Sequence, residues 1–224
     1  MNCLKIISYI FLSLIFIAGC ANYYGNVAPE TNFYYLNRNK DFSSIGRVAL
    51  VELDNFSDYP QISLELTRFL YQAMQKKQLF GITMFQKDDP AWKSLKLDID
   101  PAPGAQTGVL KNSSAYSYEQ LSAIHKTLKH DAVLIGVISD FKYYPHMSIG
   151  LRLKMIDLKD GQLLWALEQI WDTADKSTEK KVKNYFRQQV RSGFDPLREK
   201  LTTVSAINFT KFVSFEVAET LNAK

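Results

Sequence analysis

A chain of 224 residues that is 46% hydrophobic and 22% charged has a globular rather than a disordered balance, and room for one large domain or a domain with appendages. Its formal net charge of +4 is too weak an excess to argue for nucleic acid as a partner. Both cysteines, Cys3 and Cys20, lie near the N-terminus, so a body that follows them has no thiol for a disulfide, a thiolate zinc site or a cysteine nucleophile.

The chain begins with a positive residue, Lys5, and an apolar run from Ile6 to Ala18 that is too short to cross a bilayer as a relaxed helix but has the length of a secretory signal. It closes on Ile17-Ala18-Gly19-Cys20. A branched apolar residue, two small residues and a cysteine resemble the lipobox of a bacterial lipoprotein precursor. The resemblance implies cleavage between Gly19 and Cys20, a diacylglycerol on the Cys20 thiol and acylation of the new amine. A single acyl chain holds a protein only marginally, at about 0.8 kcal/mol per buried methylene, whereas several chains anchor it stably. Ala21 in place of Asp looks like the enterobacterial signal for release to the outer membrane. The plain alternative is an ordinary signal peptide or signal anchor with a chance cysteine. Residues 1–19 are thus read as a signal peptide and 20–44 as a lipidated tether, polar and aromatic by turns, whose aromatic side chains lie on the body or at the lipid interface.

A single body is expected over 45–224. Arg47 to Leu53 is apolar on both faces, as a central strand covered on both sides would be. The segment Asp54 to Pro60 is turn-rich. Ile62, Leu66, Phe69, Leu70 and Ala73 then recur at helical spacing up to Lys76 and Lys77, two cations that suit a helix C-terminus. Leu79 to Phe85 reads as a second strand and completes a strand–helix–strand unit, whose crossover should be right-handed. Residues 87–116 are irregular, rich in Asp, Pro, Gly and Asn, and are read as an insertion loop that contacts a partner or is passive. Ser117 to Lys129 follows as a helix, with Ser117 and Gln120 placed for a capping box. Ala132 to Ile138 is another doubly apolar strand, continuing through Ser139, Asp140 and Phe141. Ser148 to Asp157 alternates, with Ile149, Leu151, Leu153 and Met155 on one side and Arg152 and Lys154 on the other, as in a half-exposed strand. Asp160-Gly161 centres a hairpin turn, and Leu163 to Trp171 returns as its partner. Two apolar stripes close the chain, one of Val182, Tyr185, Phe186 and Val190 and one of Phe209, Phe212, Val213, Val217 and Leu221, with Gly193 and Pro196 between them. The resulting fold class is α/β: a mixed β-sheet in β-α-β-α-β-β-β order, flanked by helices, with C-terminal helices.

No catalytic constellation emerges from the sequence, which lacks G-x-S-x-G, H-E-x-x-H and a glycine-rich phosphate loop. His125, His130 and His146 have no flanking acidic or thiolate cluster that would complete a ligand set. Asp54, Asp58 and Asp140 could converge at one end of the sheet for acid–base work, although Asp at strand ends more commonly forms turns or caps helices. Lys176, Lys180, Lys181 and Lys183, with Arg187 and Arg191 beyond, make a basic helix face that is either simply solvated or able to meet anionic lipid headgroups.

Three segments resemble a periplasmic α/β domain shared by the curli-secretion lipoprotein (CsgG-like), the lipoprotein activator of penicillin-binding proteins and the N-terminal domain of TolB. Val48 to Ser57 looks like the first strand and its asparagine-containing loop. Asp131 to Ile138 is similar to the central strand, with its small residues and Gly136. Leu151 to Trp165 looks like the hairpin in which a strand ends in Asp, turns at Gly and returns to Trp. The resemblance covers about residues 45–172 and implies a non-enzymatic protein of envelope assembly, secretion or regulation. The chain is therefore read as an outer-membrane-anchored periplasmic lipoprotein that acts as an assembly, scaffold or regulatory binding factor. Its partners would be the membrane, through the lipid anchor, and an envelope protein or a second copy of itself; no cofactor, metal, nucleic acid or small-molecule substrate is expected. A ring-forming secretion channel is one alternative, although 87–116 lacks the alternation of a membrane-inserting hairpin. A hydrolase using scattered carboxylates is the other, and no nucleophile, base and orienting group can be named for it.

Overall fold

The computed structural model describes residues 33–40, 42–95, 116–189 and 205–222. Expectations for residues 1–32, for most of the 87–116 loop, and for Val190, Arg191, Gly193 and Pro196 lie outside the described residues.

Seven strands form one mixed sheet: β1 (Tyr34–Leu36), β2 (Arg47–Val51), β3 (Asp54–Asn55), β4 (Gly81–Phe85), β5 (Ala132–Lys142), β6 (Ser148–Asp157) and β7 (Leu163–Asp172). Their order is β1-β7-β6-β5-β2-β4, with β3 paired to β5 off this path. β2 runs parallel to β4 and β5, and the β5–β6–β7–β1 half is antiparallel. The helices are α1 (Ile62–Lys77), α2 (Pro90–Lys93), α3 (Tyr118–Leu128), α4 (Lys176–Gln189) and α5 (Ala206–Glu219). The α/β class and the mixed sheet flanked by helices agree with the sequence reading.

The two-residue period of β2 divides its side chains between two cores. Val48 and Leu50 join Leu134, Leu153 and Trp165 against Leu66 and Leu70 of α1 and Phe212 and Val213 of α5, while Ala49 and Val51 join Val133 and Ile156 against Leu121, Ile124 and Leu128 of α3. Helices therefore cover both faces of the sheet. Cap chemistry sets the limits of two of them. The Ser117 hydroxyl accepts from the Gln120 backbone N–H at 3.2 Å and the Gln120 side chain accepts from the Ser117 N–H at 2.7 Å, closing the capping box. Gln78 and Lys129 end α1 and α3 with left-handed backbones at φ 53° and 56°.

Four features differ from the sequence reading. Residues 34–36, expected in the tether, pair with β7, so the compact unit begins at Phe33. Asp54 and Asn55, read as turn, form β3 beside β5. The irregular 87–116 stretch contains the one-turn helix α2, with Pro90 in its first turn. Strand β6 is covered on both sides rather than half-exposed, since Gly150 and Ile156 are buried and Arg152 and Lys154 are only partly accessible. Its second face lies partly under α3, which the alternation of β6 alone does not report.

Asp131 ties the start of β2 to the β6–β7 turn. Its carboxylate accepts from the N–H groups of Gly46 (3.1 Å) and Arg47 (3.0 Å) and faces Lys159 Nζ at 3.1 Å. Desolvation pushes its pKa up, but the Arg47 N–H, the Lys159 ammonium and the Gly46 N–H outweigh it and hold the group below the usual carboxylate range. A depressed folded-state pKa stabilises the fold above the unfolded value, and that stabilisation is lost as pH falls through the folded value. Asp131→Asn should therefore cost about 1–2 kcal/mol at neutral pH. In denaturant titrations the gap from wild type should close as pH drops below the ordinary Asp range; a gap that is constant with pH would refute the ionic account.

Candidate functional site

The carboxyl ends of β3 and β5 lead into the two loops that carry the most exposed aromatic residues of this end of the sheet. At the first, Asn55 Oδ1 accepts from the Ser57 N–H (2.9 Å) and the Ser57 hydroxyl (2.7 Å), and Asn55 Nδ2 donates to the Tyr59 carbonyl (2.8 Å). The Phe56 N–H donates to the Ile138 carbonyl at 3.0 Å, fastening the loop to β5. An asparagine that satisfies its own turn in this way makes the loop a fixed mount rather than a free tip.

On that mount the Tyr59 ring meets Phe141 edge-on at 5.5 Å and Tyr143 at 4.6 Å, and Phe141 meets Tyr143 at 4.6 Å. Such edge-to-face pairs are favoured by the ring quadrupoles and contribute about 0.5–1.5 kcal/mol each. Phe141 is buried and anchors the cluster, while Tyr59 and Tyr143 are half-exposed. Phe56 and Tyr144, next to them in sequence, are 76% and 87% exposed. An apron of Phe and Tyr side chains open to solvent, two of them braced against a buried ring, has the composition of the centre of a protein interface.

The carboxylates of this end are engaged separately. Asp54 pairs with Lys87 Nζ at 2.7 Å; Asp140 accepts from the Ser148 hydroxyl at 2.8 Å and pairs with Lys142 at 3.1 Å. Asp58 is exposed in the loop. The β3–β5 register, in which Asp54 lies opposite Val137, brings Asp54 and Asp140 toward the same end of the sheet. Asp54 and Asp140 each have their own lysine instead of facing one another as an acid–base pair. Tyr116 is buried nearby, and burial, with a smaller contribution from the Asp54 charge, pushes its hydroxyl above the ordinary phenol range.

His125 and His130 belong to backbone architecture. His125 Nδ1 lies 2.6 Å from the His130 carbonyl and His130 Nδ1 lies 2.6 Å from the Leu128 carbonyl, so both rings close the end of α3. His146 is exposed in the β5–β6 loop. Among the described residues no group of three or more His, Cys, Asp and Glu side chains is arranged to hold a metal ion. On α4, Lys183 pairs with Glu179 at 2.6 Å and Lys181 lies 3.9 Å from Glu216 of α5, so part of the basic face noted in the sequence serves the fold. Gly19 and Cys20 lie outside the described residues.

Sequence reasoning did not single out the aromatic apron. Its one local sign was Phe56 and Tyr59 inside a turn-rich segment, where large apolar side chains have no obvious place to be buried.

No family model matches the chain, and no curated protein matches it. Among solved structures it is similar to the PelC dodecamer from Paraburkholderia phytofirmans, with 12% identity over 85% of this chain and 96% of that chain and a TM-score of 0.48. It is also similar to the LpoB C-terminal domain from Salmonella enterica, with 16% identity over 56% of this chain and 82% of that chain and a TM-score of 0.37. A third, lipoprotein GNA1162 from Neisseria meningitidis, shares 13% identity over 66% of this chain and 99% of that chain at a TM-score of 0.39. These are partial likenesses of fold, and they carry no activity to this chain.

Proposed function

We propose that the chain is an outer-membrane-anchored periplasmic lipoprotein that works by contact, as a non-enzymatic assembly, scaffold or regulatory binding factor of the cell envelope. The observation that carries the contact reading is the exposed aromatic apron of Phe56, Tyr59, Tyr143 and Tyr144, in which Tyr59 and Tyr143 are braced by buried Phe141 and Phe56 and Tyr144 stand open beside them in the same two loops. Tyr and Phe present large, rigid contact area at little cost in side-chain entropy. The address comes from the sequence: the Ile17-Ala18-Gly19-Cys20 segment supports cleavage after Gly19 and lipid attachment at Cys20, and several acyl chains would hold the body at the membrane. The aspartates at this end have lysine and hydroxyl partners of their own, which favours binding over acid–base chemistry.

The test combines both halves in intact cells that make the full chain. A photo-reactive phenylalanine at position 144 should give a discrete adduct, either with an envelope protein or with a second copy. Tyr59→Ser together with Phe56→Ser should reduce that adduct at least tenfold while the chain stays folded. Labelled palmitate should enter the wild type and not Cys20→Ala. An adduct indifferent to the double substitution would overturn the apron, and palmitate entering both chains equally would overturn the anchor.

A further inference from the structure

A second surface lies apart from the apron residues, where helices α1, α4 and α5 meet. A cleft of about 380 Å³ is lined there by Phe69, Lys76 and Lys77 of α1, Tyr185 of α4, and Lys211 and Phe215 of α5, among others. Its floor is aromatic and its rim is cationic. Lys211 Nζ stands 5.4 Å from the Phe69 ring centre and Lys77 Nζ stands 5.7 Å from that of Phe215, so two ammonium groups are held over ring faces. Phe215 leans on Tyr185 at 4.8 Å, which closes one side.

Charge separates these lysines from those that serve the fold. Lys77 is bridged to Glu219 at 2.5 Å. Lys76 and Lys211 are exposed and have no carboxylate within ion-pair distance among the described residues. The other acidic residue on this side of α5, Glu216, lies near Lys181 of α4. Lys76 and Lys211, neither neutralised, line the same cleft as half-buried Phe69 and Phe215 and match a ligand with a negative head and an apolar body, because each part alone would leave the other half of the cleft unmatched.

We propose that this cleft binds the headgroup of an anionic phospholipid, with the phosphate between Lys76 and Lys211 and the first glyceride carbons against Phe69 and Phe215. Reach favours a lipid as the source of that chemistry. The chain between Cys20 and Phe33 spans at most roughly 45 Å when fully extended, so an acylated Cys20 keeps the body within that distance of a bilayer. A lysine close to an anionic surface is attracted too weakly to hold a free body but strongly enough to orient a tethered one. The reach argument rests on the lipid anchor proposed above; the headgroup chemistry does not.

Native mass spectrometry of the acylated full protein in neutral detergent, with added phosphatidylglycerol or phosphatidylcholine, tests both separately. Phosphatidylglycerol should be retained at least tenfold more than phosphatidylcholine. Lys76→Glu with Lys211→Glu should abolish that preference, whereas the same charge change at exposed Lys126 of α3 and Lys129 just after it should preserve it. If the double reversal fails to fold, Lys76→Gln with Lys211→Gln should still reduce the preference severalfold. Millimolar inorganic phosphate should not displace the lipid, because phosphate makes no use of the aromatic floor. Equal retention of the two lipids, an unchanged preference in the cleft variants or displacement by phosphate would each overturn the assignment. An intact mass without the acyl increment would refute the anchor and leave the cleft result standing.

Discussion

Trp165→Ala should destabilise the protein by about 3–5 kcal/mol, measured as the loss of unfolding free energy in urea. Trp165 is completely buried on β7, opposite Met155 of β6 and Leu36 of β1, in the core that α1 and α5 cover. Removing the indole leaves a void in a packed interior that relaxes only in part. It also removes a bond that closes the chain: Trp165 Nε1 donates to the Thr220 hydroxyl at 3.1 Å, and that hydroxyl donates to the Val217 carbonyl at 2.7 Å. The C-terminal turn Thr220–Asn222 is thereby fastened to the sheet. Trp165→Phe separates the two contributions, since it keeps most of the ring volume and loses the donor. It should cost less than the alanine variant but more than Trp171→Phe, because Trp171 is equally buried and its Nε1 has no hydrogen-bond partner among the described residues. A loss of under about 1 kcal/mol for Trp165→Ala would mean that the hairpin does not pack against α5 in this register.

Gly136→Ala should cost about 3 kcal/mol, and for a chain of this size that corresponds to a fall in Tm of roughly 6–12 °C. Gly136 sits in β5 opposite Leu153 of β6. A methyl group placed on it would lie 2.4 Å from Leu153 Cδ2 and 2.5 Å from the Arg152 carbonyl oxygen. The leucine tip can rotate away. The carbonyl belongs to the neighbouring strand, and moving it would disturb the longest antiparallel pairing in the sheet. The requirement here is close approach of two backbones and not an unusual dihedral angle. Gly81→Ala provides the contrast, since its methyl would come no nearer than 3.2 Å to any atom and should change Tm by only a few degrees. Equal melting shifts in the two variants would remove the steric explanation.

Gly136 bears indirectly on the proposed function. The β5–β6 pairing that Gly136 permits sets where β5 ends, and Phe141 and Tyr143 at that end brace Tyr59. An apron that must offer a constant face to a partner benefits from this backing, because side chains already held in place lose less entropy on binding. The β5 bulge between Ile138 and Asp140 falls at the same place, where such an irregularity re-aims the residues that follow it.

Much of the fold was legible because its signals are local. The Ser117–Gln120 capping box, the Asp160-Gly161 turn with Gly161 at φ 73°, the double apolar character of Val48 to Val51 and the stripe from Ile62 to Ala73 each depend on residues within a few positions of one another. The proposed lipid-attachment segment, Ile17 to Cys20, is local in the same sense. The α/β class with a mixed sheet followed from the order of such elements.

Tertiary structure decided everything that depends on which distant segments become neighbours. Three residues, Tyr34 to Leu36, are too few to show a period, and they are a strand only because the free edge of β7 supplies hydrogen-bond partners. Asp54 and Asn55 read as turn residues and pair because β5 continues beyond the end of β2. The apron joins Tyr59 to Phe141 and Tyr143, and the lysine-rimmed cleft joins the last turns of α1 to α4 and α5, across sequence separations over which no periodicity carries information. Amphipathic patterns specify which face of each element is buried, whereas sheet order and helix placement specify what that face meets. The two surfaces proposed to bind are made at those meetings.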